Sequence, residues 1–112
     1  MKYSGSCHCG AVKFSFEDAE PITGVRCNCS ICRRKGCVTS EKQYAAALET
    51  TQPLGKYIWG DRMMHHYFCT TCGIYLFGEV IEKPGIYRLN LGCVDGVDAL
   101  AVPTRMIDGA SF

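Results

Sequence analysis

Seven of the nine cysteines in this chain stand in three closely spaced groups. The groups are Cys7-x-Cys9, Cys27-x-Cys29-x-x-Cys32 and Cys69-x-x-Cys72. Thiolates one or two residues apart on a tight turn can share one Zn²⁺ ion, with zinc–sulfur bonds of about 2.3 Å. A disulfide between such near neighbours would close a strained ring. The spacings therefore predict metal binding, and specifically two zinc ions per chain.

The two cysteine pairs together supply the four thiolates of a closed structural zinc site. Cys7 and Cys9 lie near the start of the chain, whereas Cys69 and Cys72 lie about sixty residues further on. These four residues, the four-cysteine cluster, are predicted to clasp the N-terminal segment to a distant hairpin. The binding free energy of such a metal is folding free energy.

The remaining group, Cys27, Cys29 and Cys32, supplies only three thiolates and is called the three-cysteine cluster below. Three protein ligands with a labile fourth position are the pattern of catalytic zinc. We therefore predict a catalytic metal at this cluster, with water or an external thiol as the fourth ligand.

Two alternatives for the fourth ligand are open. Cys37 follows the cluster by five residues, and His65 or His66 could approach from a neighbouring strand. Successive side chains of a strand point to opposite faces, so at most one of the two histidines could reach the metal. Without a role at a metal, Cys37 and Cys93 are predicted to be buried or half-buried thiols.

A basic run, Arg33, Arg34 and Lys35, follows the three-cysteine cluster, and Arg26 precedes it. These residues could form a solvated face, offset the negative charge of three thiolates, or bind the carboxylates of an anionic substrate. The sequence alone leaves these interpretations open.

The elements that must position the cysteines are mostly strands. Alternating apolar residues, or residues rich in β-branched and aromatic side chains, occupy segments 10–16, 22–27, 56–60, 64–69, 74–80 and 85–92. Residues 82–85, EKPG, predict a hairpin turn. Segment 30–35 predicts one helical turn that ends at Gly36.

Two further segments complete the prediction. Residues 41–50 contain helix-forming residues but are confined by Pro53 and Gly55, and the tail 102–112 is predicted to add an edge strand. The fold class is therefore mainly β: a single small zinc-containing domain, 1–112, of short antiparallel strands with little helix.

The composition limits the partners. The formal charge of +1 becomes about −2 when seven thiolates and two zinc ions are counted, because bound thiols are deprotonated. No global basic field attracts nucleic acid, so no nucleic-acid partner is expected. The start of the chain lacks the apolar region of a signal peptide, and no apolar run is long enough to span a membrane. A cytoplasmic protein without a membrane partner is expected.

Taken together, the motifs resemble a known family. SGSCHCGAVKF (4–14), CNCSICRRKG (27–36), YFCTTCGIYLF (67–77), LNLGCVDGVD (89–98) and the late DG (108–109) are similar to those of the glutathione-dependent formaldehyde-activating enzymes. That family includes a centromere-associated branch, and its fold is similar to the zinc-containing Mss4-like β fold. The resemblance covers nearly the whole chain.

The resemblance implies a carbon–sulfur lyase-type reaction, in which glutathione adds to formaldehyde to give S-hydroxymethylglutathione. It also implies that the four-cysteine cluster holds a structural zinc and the three-cysteine cluster a catalytic one. Arg33, Arg34 or Lys35 would then hold a glutathione carboxylate. The expected partners are a small thiol such as glutathione and an aldehyde.

Two other functions compete with this one. In the first, both metals are structural and the domain is a non-catalytic binding module whose partner docks on the basic run, residues 33–35. In the second, Cys37 beside the three-cysteine cluster takes part in metal or thiol-redox sensing. Binding of a low-molecular-weight thiol at the second metal distinguishes the enzyme from the binding module.

Overall fold

A computed structural model of the protein describes residues 1–58 and 64–111. Within these residues the chain forms ten short strands, one α-helix and two single-turn 3₁₀ helices. The strands are β1 (Lys2–Ser6), β2 (Val12–Glu17), β3 (Gly24–Cys27), β4 (Thr39–Ser40), β5 (Ala47–Thr50), β6 (Gly55–Tyr57), β7 (Met64–Phe68), β8 (Tyr75–Val80), β9 (Tyr87–Leu89) and β10 (Thr104–Ile107). The helices are α1 (Ser30–Lys35) and the 3₁₀ turns Leu91–Cys93 and Gly109–Ser111. The mainly β fold class is thus confirmed.

The first sheet has the order β1-β2-β5, with antiparallel neighbours throughout. Strand β2 alternates buried and exposed side chains, as its apolar pattern predicts. Strand β1 has no such pattern and was not predicted. Residues 41–50 do not form the helix that their residue types would allow. Ala47–Thr50 is instead a strand at the sheet edge, with Leu48 opposite Phe14. This pairing with a distant strand outweighs the weak helix propensity of the segment.

The second sheet has the order β10-β3-β4. The predicted edge strand in the tail is confirmed as β10. It pairs parallel to β3, however, so the strands are not all antiparallel. The register sets Ile107 beside Cys27, and this brings the end of the chain to the three-cysteine cluster.

The third sheet has the order β6-β7-β8-β9, with antiparallel neighbours. Residues 82–85 form the predicted turn between β8 and β9, and Gly85 adopts a φ of 86°, which favours glycine. Of the strand predicted over 56–60, the structure describes residues 56–58, and 56–57 belong to β6. Residues 59–60 lie outside the described residues.

The core joins the first sheet to the third. The largest fully buried side chains are Phe77, Leu76, Leu89, Leu91 and Val12. Across the sheets, Phe14 contacts Phe77 edge-on, with ring centroids 6.1 Å apart. Burial of side chains of this size stabilises the fold by about 1.5–3 kcal/mol each. None of the helices in the described residues is long and apolar enough to cross a membrane.

Candidate metal centres

The structure brings the sulfur atoms of the four-cysteine cluster to within 4.8 Å of one another. The Sγ atom of Cys9 lies 3.6 Å from that of Cys7 and 3.6 Å from that of Cys69. Four sulfurs bound to zinc at about 2.3 Å in a tetrahedron lie about 3.8 Å apart. The donor set therefore fits a tetrahedral metal ion closely, with Cys72 as the fourth ligand.

Each cysteine pair lies on a tight turn. The Cys7 carbonyl accepts a hydrogen bond from the Gly10 N–H at 3.3 Å, and the Cys69 carbonyl accepts one from the Gly73 N–H at 2.9 Å. Both glycines have positive φ, 82° and 77°, a conformation that other residues rarely adopt. The glycine that follows each cysteine pair thus allows the chain to turn around a metal.

Backbone and side-chain donors surround the buried sulfur atoms. Cys69 is fully buried, and its Sγ atom accepts hydrogen bonds from the Thr71 N–H and the Gln52 Nε2, both at 3.4 Å. Backbone N–H donors, Ile74 first, lower the pKa of the Cys72 thiol to about 6. Donors of this kind stabilise the thiolate form that a metal requires.

The three-cysteine cluster is built by one short segment. Cys27 ends β3, Cys29 lies directly before α1, and Cys32 lies within that helix. Their sulfur atoms lie within 4.8 Å of one another, and the Cys29 N–H donates to the Cys27 Sγ atom at 3.5 Å. The helix ends at Gly36 with a φ of 64°, as the sequence predicted. The segment could hold a second metal ion.

The end of the chain is fastened to this cluster through Asn28. The Asn28 Nδ2 donates to the Asp108 Oδ1 at 2.9 Å, and the Asn28 Oδ1 accepts from the Ala110 N–H at 3.0 Å. A Cβ atom at Gly109 would overlap the Cys27 Sγ atom. In the sequence this DG pair is only part of the family resemblance, and no local pattern indicates its contact with the cluster.

Among the described residues, no histidine or fourth cysteine joins the three sulfurs. Cys37 and His66 line the neighbouring cavity without joining the cluster. His65 points to the opposite side of β7, where its Nδ1 lies 3.2 Å from the Glu79 Oε1. The prediction that the two histidines face opposite ways is confirmed.

A cavity of about 470 Å³ opens on the three-cysteine cluster. Its apolar wall consists of Val25, Ile31, Met64, Tyr75, Val80 and Ile107. Two cations, Lys35 and Arg88, also line it. The Lys35 Nζ lies 3.8 Å from the centroid of the Tyr75 ring and 3.5 Å from the His66 Nδ1. This volume is typical of a site for a small organic molecule.

Burial favours the neutral form of three titratable groups that line the cavity. Burial, together with the Lys35 charge, lowers the pKa of His66 to about 4. Burial also raises the pKa of the Cys37 thiol. Burial and the hydrogen bond with Cys29 raise the pKa of Cys32 to about 12. Near neutral pH His66 is an uncharged imidazole, and Cys32 loses its proton when it binds a metal.

The three residues of the basic run occupy different environments. Arg33 and Arg34 are exposed, and the Arg34 Nη1 donates to the Ser30 carbonyl at 2.7 Å. Lys35 is half-buried at the cavity wall. Arg88 was not predicted as a site residue, and its only signal in the sequence is its charge within an otherwise apolar strand.

Residues 2–107 match a known family, the glutathione-dependent formaldehyde-activating enzymes. The chain belongs to this family. A protein of this family from Halomonas elongata, named "Putative glutathione-dependent formaldehyde-activating enzyme", is 53% identical over 34 residues. That match covers 30% of this chain and 22% of the relative, so the chain spans about a fifth of the relative's length in the match.

A crystal structure of a Rhodobacter sphaeroides protein is similar to this family member over nearly its whole length. The TM-score is 0.75 at 33% sequence identity, and the match covers 91% of this chain and 99% of the other. The family assignment confirms the resemblance found in the cysteine motifs. The structure also contains two cysteine clusters that could each hold a metal ion, as the cysteine motifs predicted.

Proposed function

We propose that this family member is a zinc-dependent carbon–sulfur lyase-type enzyme that adds a thiol, glutathione or a similar one, to formaldehyde or a related aldehyde. One observation carries the proposal. The cavity opens directly on three sulfur donors, and among the described residues no fourth protein donor completes the set. Three protein ligands leave one tetrahedral position for a substrate.

The residues of the two clusters would hold two zinc ions with different tasks. The four-cysteine cluster, which has four sulfur donors and two buried members, Cys7 and Cys69, would hold a structural ion. Cys27, Cys29 and Cys32 would hold the catalytic one. When bound there, zinc lowers the pKa of a coordinating thiol and polarises a carbonyl oxygen.

The addition requires no reactant other than the thiol and the aldehyde. The S–H bond of the thiol breaks, a new bond forms between sulfur and the carbonyl carbon, and the carbonyl oxygen takes up the proton. Neutral His66 lies at the cavity wall and can accept this proton from sulfur and pass it to oxygen. Holding the two reactants together adds to the rate.

The basic run would contact the carboxylates of the thiol at two places, one inside the cavity and one at its rim. Lys35 lines the cavity, whereas Arg33 and Arg34 are exposed on the same short helix. We propose that Lys35 meets a carboxylate inside the cavity and that the arginines meet one at its rim. Charge-assisted pairs of this kind are stronger than neutral hydrogen bonds.

The test is thiol binding to protein in which Co²⁺ replaces Zn²⁺. Glutathione is expected to change the visible cobalt spectrum of the wild type and of Cys93→Ala, since Cys93 belongs to neither cluster. Cys29→Ala is expected to lose the change. Formation of S-hydroxymethylglutathione above the uncatalysed rate is then followed by NMR.

No spectral response to glutathione or to any other small thiol would refute the proposal. If chelators also removed both metals only on unfolding, the binding module with two structural metals would take its place.

A further inference from the structure

Arg88 lines a cavity and carries an unsatisfied hydrogen-bond donor. Among the residues described, its Nε is the one buried side-chain nitrogen or oxygen atom without a hydrogen-bond partner. Arg88 lies in β9 opposite Gly78 of β8 and lines the cavity over the three-cysteine cluster. Arg88 as a whole is half-buried, and a buried donor such as its Nε costs free energy unless a bound molecule or ion satisfies it.

The charges around Arg88 favour an anion. Lys35 is the second cation of the cavity, and no carboxylate of a described residue lines it. The contacts of Lys35, the Tyr75 ring and His66, carry no negative charge. Glu41 is close enough to Arg88 for their charges to interact, but its Oε2 accepts a hydrogen bond from the Arg105 Nε at 3.0 Å. Three thiolates with one zinc ion carry a charge of −1, which Lys35 and Arg88 together outweigh, so the described groups around the cavity attract anions.

The apolar wall of the cavity indicates which chain a bound anionic ligand would have. Ile31, Met64, Val80 and Ile107 line it together with the cluster and Arg88. A volume of about 470 Å³ is far more than formaldehyde occupies, so most of it accommodates the thiol. Apolar walls favour a hydrocarbon chain over a chain of polar groups.

We propose that the cavity selects a thiol whose chain is largely apolar and carries a carboxylate. Its sulfur binds at the three-cysteine cluster, and its carboxylate pairs with the Arg88 guanidinium, supported by Lys35. Arginine recognises carboxylates through paired N–H donors in a fixed plane. This inference rests on the proposed function and names the substrate class of that same site.

A second role for Arg88 predicts a different result. If the guanidinium only offsets the negative charge of the cysteine sulfurs, its removal weakens all thiols to the same extent. If it pairs with a carboxylate, its removal weakens only thiols that carry one. The ratio of two affinities therefore distinguishes the roles.

The test compares 3-mercaptopropionate with 3-mercapto-1-propanol, a neutral thiol of the same chain length. Both are titrated into the cobalt-substituted full chain, and the visible spectrum gives the Kd of each. The wild type is expected to bind the acid about tenfold or more tightly. Arg88→Met is expected to reduce this preference to about twofold or less, because its chain keeps the apolar volume without the charge.

Two control variants sharpen the comparison. Lys13→Met removes an exposed cation of the first sheet that does not line the cavity, so it is expected to keep the full preference. Arg88→Lys retains the charge without the paired donors and is expected to keep part of it. If Arg88→Met does not fold, the ratio of the affinities for the two thiols is compared between the wild type and Arg88→Lys instead.

Three results would overturn the inference. They are equal affinity of the wild type for the two thiols, an unchanged preference in Arg88→Met, and an equal loss of affinity for both thiols in that variant. Each leaves the proposed function intact, because thiols still bind at the metal. A spectrum that responds to glutathione but to neither of these thiols would overturn this inference alone, whereas no response to any of the three would refute the proposed function as well.

Discussion

Gly109 lies directly against the sulfur atom of Cys27, although 82 residues of the chain separate them. A Cβ atom at Gly109 would overlap the Cys27 Sγ atom and would lie 3.2 Å from the Cys29 Cβ. The end of the chain thus forms one wall of the three-cysteine cluster, and only a residue without a side chain fits there.

Gly109→Ala is therefore expected to weaken metal binding at this cluster while the fold is kept. Forcing one extra methyl group into a packed site costs about 1–3 kcal/mol. The metal affinity should consequently fall about tenfold or more. Competition with a chromophoric chelator measures the affinity of each ion.

The matched control is Gly92→Ala, in the other 3₁₀ turn, where the nearest atom to a new Cβ is the Asn90 Oδ1 at 3.3 Å. That variant should bind both metals as the wild type does. Equal affinities in Gly109→Ala and Gly92→Ala would show that the contact does not constrain the metal.

The two clusters are expected to differ in what their loss does to folding. Cys69 is fully buried and ties together segments about sixty residues apart, whereas Cys29 belongs to a cluster built by one segment. Structural zinc contributes about 10–16 kcal/mol in small domains, which is comparable to the whole stability of a protein, about 5–15 kcal/mol.

Cys69→Ala should thus abolish soluble folding, and Cys29→Ala should leave a folded domain with one zinc ion per chain. Zinc content by elemental analysis and the circular dichroism spectrum give the two readouts. Unfolding in both variants would mean that the second cluster is structural as well.

The buried carboxylate of Asp18 makes stability depend on pH. It accepts hydrogen bonds from the Tyr44 hydroxyl at 2.5 Å, the Glu20 N–H at 2.9 Å and the Lys42 Nζ at 3.2 Å. The Tyr44 bond first, and then the others, lower its pKa to about 2. In the unfolded chain an aspartate titrates near 3.9, so this contribution is complete above that pH and is lost as the pH falls towards 2.

Asp18→Asn is expected to lower the free energy of unfolding by about 1.5–3 kcal/mol at pH 7, the range for hydrogen bonds to charged groups. Urea unfolding of both proteins at pH 7, where the thiolates keep their metals, measures the difference. A difference equal to that of the exposed control Glu17→Gln would contradict the assignment.

Glu79 is expected to stabilise the hairpin of β8 and β9. It is 7% exposed, and it accepts hydrogen bonds from the Tyr67 hydroxyl at 2.9 Å and the Gly85 N–H at 2.8 Å. Glu79→Ala leaves both donors without their partner, which costs about 2–3 kcal/mol.

The measurements are urea unfolding and amide exchange over residues 75–89. The exposed neighbour Glu82 provides the control, since Glu82→Ala removes a carboxylate from the same hairpin without a buried contact. If the two variants lost the same stability, burial of Glu79 would not be the cause.

The local features of the two clusters could be predicted from the sequence. The spacings within Cys7-x-Cys9, Cys27-x-Cys29-x-x-Cys32 and Cys69-x-x-Cys72 fix which sulfurs share a turn, because a short chain segment has few conformations. The pairing of the two outer groups followed because each supplies half of a tetrahedral site. The alternation in β2 and the turn at 82–85 were likewise local patterns.

The relations between distant segments were decided only by the tertiary structure. Residues 47–50 form strand β5 and not a helix because they pair with the edge of β2. Strand β10 pairs parallel to β3, and this pairing brings Gly109 against Cys27. Sheet pairing likewise brought Arg88 into the cavity with Lys35. Such contacts depend on which strands meet and in which register, and no short pattern in the sequence encodes that choice. The sequence by itself thus determined which residues could bind the metals, whereas the packing of the sheets decided what surrounds them.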